Sequence, residues 1–429
     1  MQSNWEIKRI SDICEYHNNK RVPLKSIDRA KRQGSYPYYG ASGIVDSIDD
    51  YIFDGTYLLI SEDGENLRSR KTPIAFKATG QFWVNNHAHI LAEKEEGILD
   101  YLEYYFSYLS LTPYLTGAVQ PKLSKQSLEA IEIPVPPLED RLKINEILNS
   151  FTHKIANNKA MNQTLEKLAQ RIFKSWFIDF DPVKANKEGL PFDGLSPEIQ
   201  ALFPSEFEDS ELGMIPKGWE VSTIKQLQEK LSKGTTPRKK DVESAQDAPS
   251  IPFIKVRNIS DTGSIESELE TVASSIHEGA LKRSILQSED LLFTIAGTIG
   301  RVAIVPDRLN NSNCNQAVCF IRLKDKPTYN NYLYLHLKSK RIQEQISSKV
   351  VQAVQANASL QNINDINFPL PTNKLMESWN KVTLPLFDRI KEIEKQNITL
   401  TGLRDRLLPK LVSGQISVGE ATQELAEAI

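Results

Sequence analysis

Two groups of polar and cationic residues have the chemistry to contact a polyanion such as a nucleic acid. Cations and backbone amides suit phosphate oxygens, whereas arginine, lysine, asparagine and glutamine suit the edges of bases. The second half of the chain supplies a compact group: Lys233, Thr235, Thr236, Arg238, Lys239, Lys240, Lys255, Arg257 and Asn258. The first half supplies a looser group: Lys20, Arg21, Tyr39, Ser42, Arg68, Arg70 and Lys71. For many of these residues the alternative is a solvated charge on a loop.

Sequence patterns for catalysis are missing. There is no G-x-x-x-x-G-K-[ST] phosphate loop, no G-x-G-x-x-G turn, and no H-E-x-x-H or C-x-x-C metal motif. The string Gly297-Thr298-Ile299-Gly300-Arg301 is the nearest glycine pair, and its spacing is wrong. His87 and His89 alternate on a predicted strand, which favours a polar strand face over a metal pair. We therefore expect no catalytic residue and no metal site.

An internal repeat must position the two groups. Trp5-Glu6-Ile7 returns as Trp219-Glu220-Val221. Three further strings return at a constant distance of 235 residues: Val119-Gln120 as Val354-Gln355, residues 131–136 as 366–371, and the pattern N-x-T-L-x-x-L-x-x-R of residues 162–171 as 397–406. Two copies of a unit of roughly 200 residues are too few and too large for a solenoid. The repeat predicts a pseudo-two-fold molecule with two similar surfaces, which favours a ligand that itself has two halves.

The front of each copy is typical of short strands and turns. Copy one has apolar stretches at 51–60, 82–84 and 89–91, and copy two at 251–256, 291–295, 301–305 and 317–321. A helix is expected after each set, over 99–109 and 329–347. Copy two is longer by 19 residues in its front, and we place this polar, loop-like insertion around 235–250. The fold class is therefore α/β (α+β).

The tail of each copy has the apolar spacing of a long helix. Ten positions from Ile144 to Trp176 alternate steps of four and three residues, and Trp379 to Leu411 repeats this pattern in the same register. Asn162 and Asn397 occupy matching positions of the seam, where a polar residue fixes the register of paired helices. The alternative is an ordinary buried helix face. We interpret the tails as an antiparallel coiled coil that separates the fronts, with Pro385 and Pro409 kinking or fraying the second helix.

These patterns divide the chain into six segments. We expect a first domain over 1–136, a central helix over 137–180, a linker rich in proline, glycine and acidic residues over 181–215, a second domain over 216–371, a C-terminal helix over 372–414 and a tail over 415–429.

The composition is that of an ordinary globular chain. Of its 429 residues, 40% are hydrophobic and 25% charged, and the formal net charge is −3. That charge excludes a strongly basic coat but not a local patch that binds nucleic acid. No apolar run is long enough for a membrane span, and the N-terminus lacks the features of a signal peptide. Three cysteines without a metal pattern suit a reducing cytoplasm, where we expect the protein to be located.

The order of domain, helix, linker, domain and helix resembles the specificity (S) subunit of type I restriction–modification systems. The likeness covers nearly the whole chain. No single string is very specific, but their order is. The matching strings are YPYYGASGI (36–44), IEIPVP (131–136), GMIPKGWE (213–220), IPFIKVRNI (251–259), LLFTIAGTIGRVAIV (291–305), NQAV (315–318) and LLPKLVSG (407–414).

The resemblance implies a division of labour. Each front would be a target recognition domain that reads one half of a bipartite, asymmetric site in double-stranded DNA. The helices would set the spacing and dock two adenine methyltransferase subunits, which bind S-adenosylmethionine. Motor–nuclease subunits that use ATP and Mg would join through the complex, and the chain itself would hold no cofactor and catalyse nothing. Two alternatives stay open: a cryptic stand-alone DNA methyltransferase or nuclease, and a duplicated protein-binding scaffold.

Overall fold

The computed structural model describes residues 4–117, 119–266, 268–351 and 357–428. The chain forms two compact units. Unit 1 combines Met1–Asn157 with Asn397–Ile429, and unit 2 is Asn158–Gln396. The second copy of the repeated Val-Gln pair, Val354-Gln355, lies outside the described residues.

The strands are β1 Glu6–Lys8, β2 Cys14–Tyr16, β3 Gln33–Gly40, β4 Gly43–Ile48, β5 Phe53–Ser61, β6 Ala75–Val84, β7 Ala88–Glu93, β8 Ile133–Val135, β9 Phe207–Ser210, β10 Gly213–Pro216, β11 Glu220–Thr223, β12 Gln228–Lys233, β13 Pro249–Ile254, β14 Glu270–Ala273, β15 Leu291–Thr294, β16 Val302–Ile304, β17 Asn313–Cys314, β18 Val318–Leu323 and β19 Asn367–Leu370.

The helices are α1 Ile10–Ile13, α2 Ser26–Ala30, α3 Asn66–Ser69, α4 Ile98–Tyr108, α5 Lys125–Glu129, α6 Leu138–Phe177, α7 Asp181–Glu188, α8 Pro197–Gln200, α9 Ile224–Leu227, α10 Lys239–Ser244, α11 Ser274–Glu278, α12 Lys326–Lys338, α13 Lys340–Val351, α14 Leu360–Asn364, α15 Asn373–Val412 and α16 Val418–Ala428. Short 3-10 turns lie at Asn18–Lys20, Thr112–Tyr114, Val256–Asn258, Lys282–Ser284 and Asp307–Leu309.

Unit 1 is built on a six-stranded sheet of order β2-β7-β5-β6-β3-β4. Its pairs are antiparallel except β3 with β6, which are parallel. The apolar run of β5 is buried on both faces of the sheet, as expected for a central strand. Leu58 and Ile60 pack in the core that contains α4, whereas Leu59 packs with Phe53 and Phe82.

Unit 2 repeats this topology in two pieces. A sheet of order β12-β18-β15-β16 corresponds to β2-β7-β5-β6, and a sheet of order β14-β13-β17 corresponds to β4-β3-β6. The long strand β6 of unit 1 is thus replaced by β16 and β17. Between them lies Pro306, which has no N–H to donate to a sheet ladder, followed by a 3-10 turn. One proline-containing segment therefore accounts for the divided sheet.

A short strand pair closes each repeat. In unit 1, β1 pairs with β8, and Glu6 lies opposite Val135. In unit 2, β11 pairs with β19, and Glu220 lies opposite Leu370. A buried tyrosine also repeats: Tyr101 donates its hydroxyl to the carbonyl of Pro134, and Tyr332 donates to that of Pro369.

The two long helices, α6 and α15, are packed together. In unit 2, the Asn162 side-chain amide donates to the carbonyl of Ile390 (3.3 Å), and the rings of Trp176 and Trp379 lie 5.8 Å apart. Residue numbers in α15 decrease as residue numbers in α6 increase along these contacts, so the helices run antiparallel there. In unit 1, residues from the first half of α6 and the last turns of α15 share one core.

The predicted seam is confirmed, because its positions on both helices are buried or half-buried. The α+β class with two similar domains and two long packed helices is confirmed as well. α15 continues through Pro385 and Pro409 to Val412, so neither proline ends or frays it.

The predicted linker and the predicted loop-like insertion both contain regular structure. The linker carries α7, α8 and the hairpin β9–β10, and Val183, Phe203 and Ile215 are buried in the unit 2 core. The inserted segment of unit 2 contains α10. The predicted helix over 329–347 is two helices, because α12 ends at Lys338, Ser339 has an extended backbone, and α13 begins at Lys340. In the described part of the chain, no helix is both long and apolar enough to span a membrane.

Candidate nucleic-acid interface

In unit 1, several turns meet at one edge of the six-stranded sheet. The Ser61 hydroxyl donates to the Ala41 carbonyl (2.5 Å), joining the end of β5 to the β3–β4 turn. The Asn85 N–H donates to the Tyr39 carbonyl (3.0 Å), joining the β6–β7 turn to β3. We call residues 17–21, 40–43, 61–64, 85–87 and 121–122 the first edge surface.

Arg21 is a structural part of this surface. Its guanidinium pairs with Glu62 (2.6 Å) and donates to the carbonyls of Ala88 (2.8 Å) and Asn86 (3.2 Å). Burial by itself would raise the pKa of Glu62, but the hydrogen bond from Arg21 and the nearby cations hold that pKa below its ordinary value. Arg21 therefore fixes the β6–β7 turn, and its charge is already matched by Glu62.

Two other residues predicted to contact DNA, Arg70 and Tyr39, point their side chains into the domain. Arg70, at a left-handed φ of 48°, donates its guanidinium to the carbonyls of Phe106, Ser107 and Leu109 at the end of α4. Burial lowers its pKa. Tyr39 packs its half-buried ring against Phe76 and Phe82. Arg70 thus satisfies the free carbonyls of a helix C-terminus, and Tyr39 belongs to the core.

The remaining predicted residues of unit 1 are exposed: Lys20, Ser42, Arg68 and Lys71. Lys20 and Ser42 lie on the first edge surface. Arg68 donates to the carbonyl of Gly117 (3.0 Å).

The first edge surface also contains exposed residues that sequence reasoning missed. Asn86 and His87 lie in the β6–β7 turn, and Lys122 places its ammonium 3.5 Å from Glu62. Nδ1 of His87 lies 2.9 Å from both carboxylate oxygens of Asp63. These residues are dispersed along the chain, so only the pairing of β5, β6 and β7 brings them near Arg21. The one local signal that could have indicated them is the run Asn85-Asn86-His87, but His87 was expected on a strand and lies in the turn.

Unit 2 presents an equivalent edge. The Asn315 N–H donates to the Ile254 carbonyl (3.0 Å), and the Thr235 N–H donates to the Cys314 carbonyl (3.0 Å). A Cβ on Gly234 would lie 2.2 Å from the carbonyl oxygens of Cys314 and Asn315, so only glycine permits this approach. We call residues 233–240, 254–258, 295–301 and 315–317 the second edge surface.

Most of the compact cationic group is exposed on the second edge surface: Lys233, Thr236, Arg238, Lys239 and Lys240. Thr235 is half-buried. The Thr236 hydroxyl donates to the side-chain carbonyl of Gln316, another residue that sequence reasoning missed. Arg238 is the N-cap residue directly before α10, and Lys239 lies 3.5 Å from Glu243 one turn along the helix. The helix therefore presents neighbouring cations near its N-terminus.

The three predicted contact residues that follow β13 have other partners. Lys255 and Arg257 both pair with Glu270, Lys255 at 2.5 Å. Asn258 is buried, accepting from the Lys255 N–H (2.8 Å) and donating to Glu266 (2.6 Å). Its amide shapes the turn after β13 and is not available to a base in this conformation.

The described residues include no group of three or more histidine, cysteine or acidic side chains placed to hold a metal ion. Burial raises the pKa of the Cys14 and Cys319 thiols to about 12, and that of Cys314 further. Thiols of this kind stay protonated near neutral pH and are poor nucleophiles.

The fold therefore defines a duplicated protein with two equivalent edges, each carrying exposed cations and amides. The family model "Type I restriction modification DNA specificity domain" matches residues 2–167 and 216–398, and the chain belongs to this family. It is a specificity subunit that recognises a DNA target sequence and is not a catalytic subunit. This finding favours the specificity subunit over both alternatives left open by the sequence.

Similar proteins match most of the chain. The type I restriction enzyme MjaIX specificity subunit of Methanocaldococcus jannaschii is 27% identical over 97% of this chain and 94% of its own length. The HindI specificity subunit of Haemophilus influenzae is 25% identical over 69% and 71%. A crystal structure of a type I S subunit from M. genitalium superimposes with a TM-score of 0.57 at 14% identity, covering 96% and 97% of the two chains, which supports the fold.

Proposed function

We propose that each unit reads one half of a bipartite, asymmetric DNA site through its edge surface. The observation that carries the proposal is that one strand topology occurs twice, while the residues exposed at the equivalent edge differ. In unit 2 the cations are concentrated in residues 233–240, whereas in unit 1 they come from separate turns. Matched scaffolds with different exposed side chains suit two different half-site sequences. The recognition domains would be residues 1–136 and 216–371.

Within this proposal, the predicted contact residues have two roles. The exposed side chains of the two edge surfaces contact phosphates or base edges: Lys20, Ser42, Lys233, Thr236, Arg238, Lys239 and Lys240. Arg68 and Lys71 are exposed outside the first edge surface and provide further contacts. The buried and half-buried residues shape the loops that present them: Arg21, Tyr39, Arg70, Thr235, Lys255 and Asn258. Arg257 is exposed, but its charge is paired with Glu270, and we place it with this group. Cations already matched by a carboxylate gain less from a phosphate, because that pair must first be separated.

The long helices set the distance between the half-sites and dock two adenine methyltransferase subunits. Each helix has 40 residues, which corresponds to ~60 Å at 1.5 Å per residue. Half-sites on one face of a duplex lie ~34 Å apart or a multiple of it. The methyltransferase subunits supply S-adenosylmethionine and the chemistry. Motor–nuclease subunits with ATP and Mg join through that complex, which acts in the cytoplasm.

The test is to co-express the chain with its methyltransferase subunits and map the methylated adenines in the genome. We expect one asymmetric sequence with two defined parts and an unread spacer of constant length. A continuous methylated sequence without a spacer would contradict the proposal that each unit recognises one half of the site. Incubating the chain alone with DNA and labelled S-adenosylmethionine should give no methyl transfer, because the chemistry belongs to the partners.

A further inference from the structure

The β6–β7 turn of unit 1 and the β17–β18 turn of unit 2 occupy equivalent positions. Two hydrogen bonds establish this. Asn85 donates its N–H to the carbonyl of Tyr39, and Asn315 donates to that of Ile254, both at 3.0 Å. The last carbonyl of each turn accepts a hydrogen bond of 2.8 Å from the residue directly after the neighbouring strand. In unit 1 the Glu62 N–H, after β5, donates to the His87 carbonyl. In unit 2 the Ile295 N–H, after β15, donates to the Ala317 carbonyl.

The strand registers agree with this equivalence. Tyr39 lies opposite Val84, directly before the first turn, and Ile254 lies opposite Cys314, directly before the second, each in a parallel pair. The middle residue of each turn is therefore the same structural position in the two units. It is Asn86 in unit 1 and Gln316 in unit 2.

Both middle residues are exposed and carry a side-chain carboxamide. An asparagine or glutamine amide can accept from N6 and donate to N7 of adenine at the same time, and this pairing discriminates adenine from other bases in the major groove. We propose that Asn86 and Gln316 each read an adenine in the half-site of their own unit. This inference rests on the proposed function and adds the base that each edge surface recognises.

Each turn is held in place by the segment after the outermost strand, β2 or β12. In unit 1, Arg21 donates to the backbone carbonyls of Asn86 and Ala88 on either side of His87. In unit 2, the close approach of Gly234 fixes the backbone of Cys314 and Asn315, and Thr236 donates directly to the Gln316 side chain. The two amides therefore sit on rigid turns and not on free loops, which reduces the conformational entropy that binding would cost.

The neighbouring residues favour a base over a phosphate as the partner. A neutral amide gains less from a phosphate than a cation does, and exposed cations already lie close by. Lys20 and Lys122 belong to the first edge surface, and Lys233 and Arg238 to the second. The next residue in each turn, His87 or Ala317, differs in chemistry, while the carboxamide is retained. The amide is the one exposed base-reading group that the two turns share.

The experiment uses the complex of the full chain with its methyltransferase subunits, on duplexes that contain the mapped site. Each adenine of the two half-sites is replaced in turn by 7-deazaadenine, which lacks the N7 acceptor but still pairs with thymine. Affinity is measured for the unsubstituted protein and for Asn86→Ala and Gln316→Ala. Both residues are exposed, so we expect an unchanged thermal unfolding midpoint. Each variant serves as the control for the other half-site.

For the unsubstituted protein, 7-deazaadenine at one position in each half-site should lower affinity by roughly 2- to 13-fold, because one of the two hydrogen bonds of the pair is lost. Asn86→Ala should bind more weakly by a comparable factor and become insensitive to the modified base in one half-site only. Gln316→Ala should do the same in the other half-site. If both variants retain the full 7-deaza penalty at every adenine, the inference is wrong, and a uniform loss of affinity would identify a phosphate contact instead. If the unsubstituted complex recognises no bipartite site, the proposed function fails first.

Discussion

At the scale of the residue, the same side-chain type has different roles according to what surrounds it. Arg70 and Lys71 are neighbours in the sequence, yet the Arg70 guanidinium is bonded to three carbonyls at the end of α4, while Lys71 is exposed. The sequence correctly indicated cations near turns. Which of them face solvent depends on pairings between distant segments, such as Arg21 with Glu62. No local pattern contains that information.

Arg70 and Lys71 provide a matched pair of substitutions. Arg70→Met should lower the free energy of unfolding by about 1.5–3 kcal/mol, because bonds from a charged donor to the α4 carbonyls are lost while the residue at positive φ keeps a Cβ. It should leave the salt dependence of DNA binding unchanged. Lys71→Met should leave the free energy of unfolding unchanged and should reduce the slope of log K against log salt by about 0.9. Urea unfolding and binding titrations measure the two quantities. An equal loss of stability in both variants would contradict this assignment.

The cations at the start of α10 should contribute directly to DNA affinity. Replacing both Arg238 and Lys239 by alanine should weaken binding of the assembled complex and flatten the salt slope by up to about 1.8, since each phosphate contact contributes ~0.9. The control removes the same charge elsewhere in unit 2, with Lys184→Ala and Lys187→Ala on α7, both exposed. If the slope of the α10 variant equals that of the control, neither Arg238 nor Lys239 is a phosphate contact.

His336 should make unit 2 sensitive to acid. Burial among Phe173, Tyr332 and Phe368 lowers its pKa from about 6.5 to about 3. In the unfolded chain the His336 imidazole therefore becomes protonated near pH 6.5, whereas in the folded chain it becomes protonated only near pH 3. This stabilisation is present above pH 6.5 and is lost as the pH falls towards 3. Between pH 7 and pH 5 the free energy of unfolding should drop by about 2 kcal/mol.

His336→Phe keeps an aromatic ring at this position and cannot be protonated. Urea unfolding at both pH values, monitored by tryptophan fluorescence, should show that the variant loses this component of the pH dependence. A variant as acid-sensitive as the unsubstituted protein would assign the effect to other groups.

At the scale of the element, periodicity was a good guide where packing is repetitive and a poor guide elsewhere. The four-and-three spacing of α6 and α15 predicted both helices and their buried seam, because each turn of a paired helix meets the same environment. No periodicity indicated the short helices and the hairpin of residues 181–215, because the buried residues there, such as Val183 and Phe203, are single apolar side chains among polar ones. They become core residues only through the tertiary structure of unit 2.

The paired helices allow the proposed spacing function to be tested. In unit 2, Asn162 of α6 contacts Ile390 of α15. Because the helices run antiparallel, residue 158 of α6 lies opposite about residue 394 of α15. Inserting four residues at both levels adds roughly one turn and ~6 Å while keeping the seam aligned. We expect the unread spacer of the methylated site to lengthen by about two base pairs and both half-site sequences to persist.

Inserting two residues at both levels is the control, because it adds ~3 Å but rotates the rest of each helix by about half a turn. That variant should lose methylation or assembly with the methyltransferase subunits. Both variants are read from the genomic methylation pattern. An unchanged spacer in the four-residue variant would mean that the helices serve as docking surfaces without setting the distance.

At the scale of the whole molecule, the repeat should make each proposed recognition domain exchangeable. In unit 2 the domain begins in β11 and ends in β19, which pair antiparallel with Glu220 opposite Leu370. In unit 1, β1 and β8 pair in the same way. The chain therefore enters and leaves each domain through adjacent strands, about 5 Å apart. A foreign domain with the same closing pair needs only those two junctions, and the helices on either side are left intact.

Replacing residues 216–371 with the matching domain of a family member that has a different methylated sequence should change one half of the site only. The other half and the spacer length should stay as they were, because the first edge surface and both long helices are untouched. The reciprocal exchange of the first domain, with junctions in β1 and β8, should change the opposite half. Mapping methylated adenines in cells that carry each hybrid gives the result directly. If either exchange alters both halves, the two surfaces read DNA jointly, and the independence of the two units proposed from their shared topology would have to be abandoned.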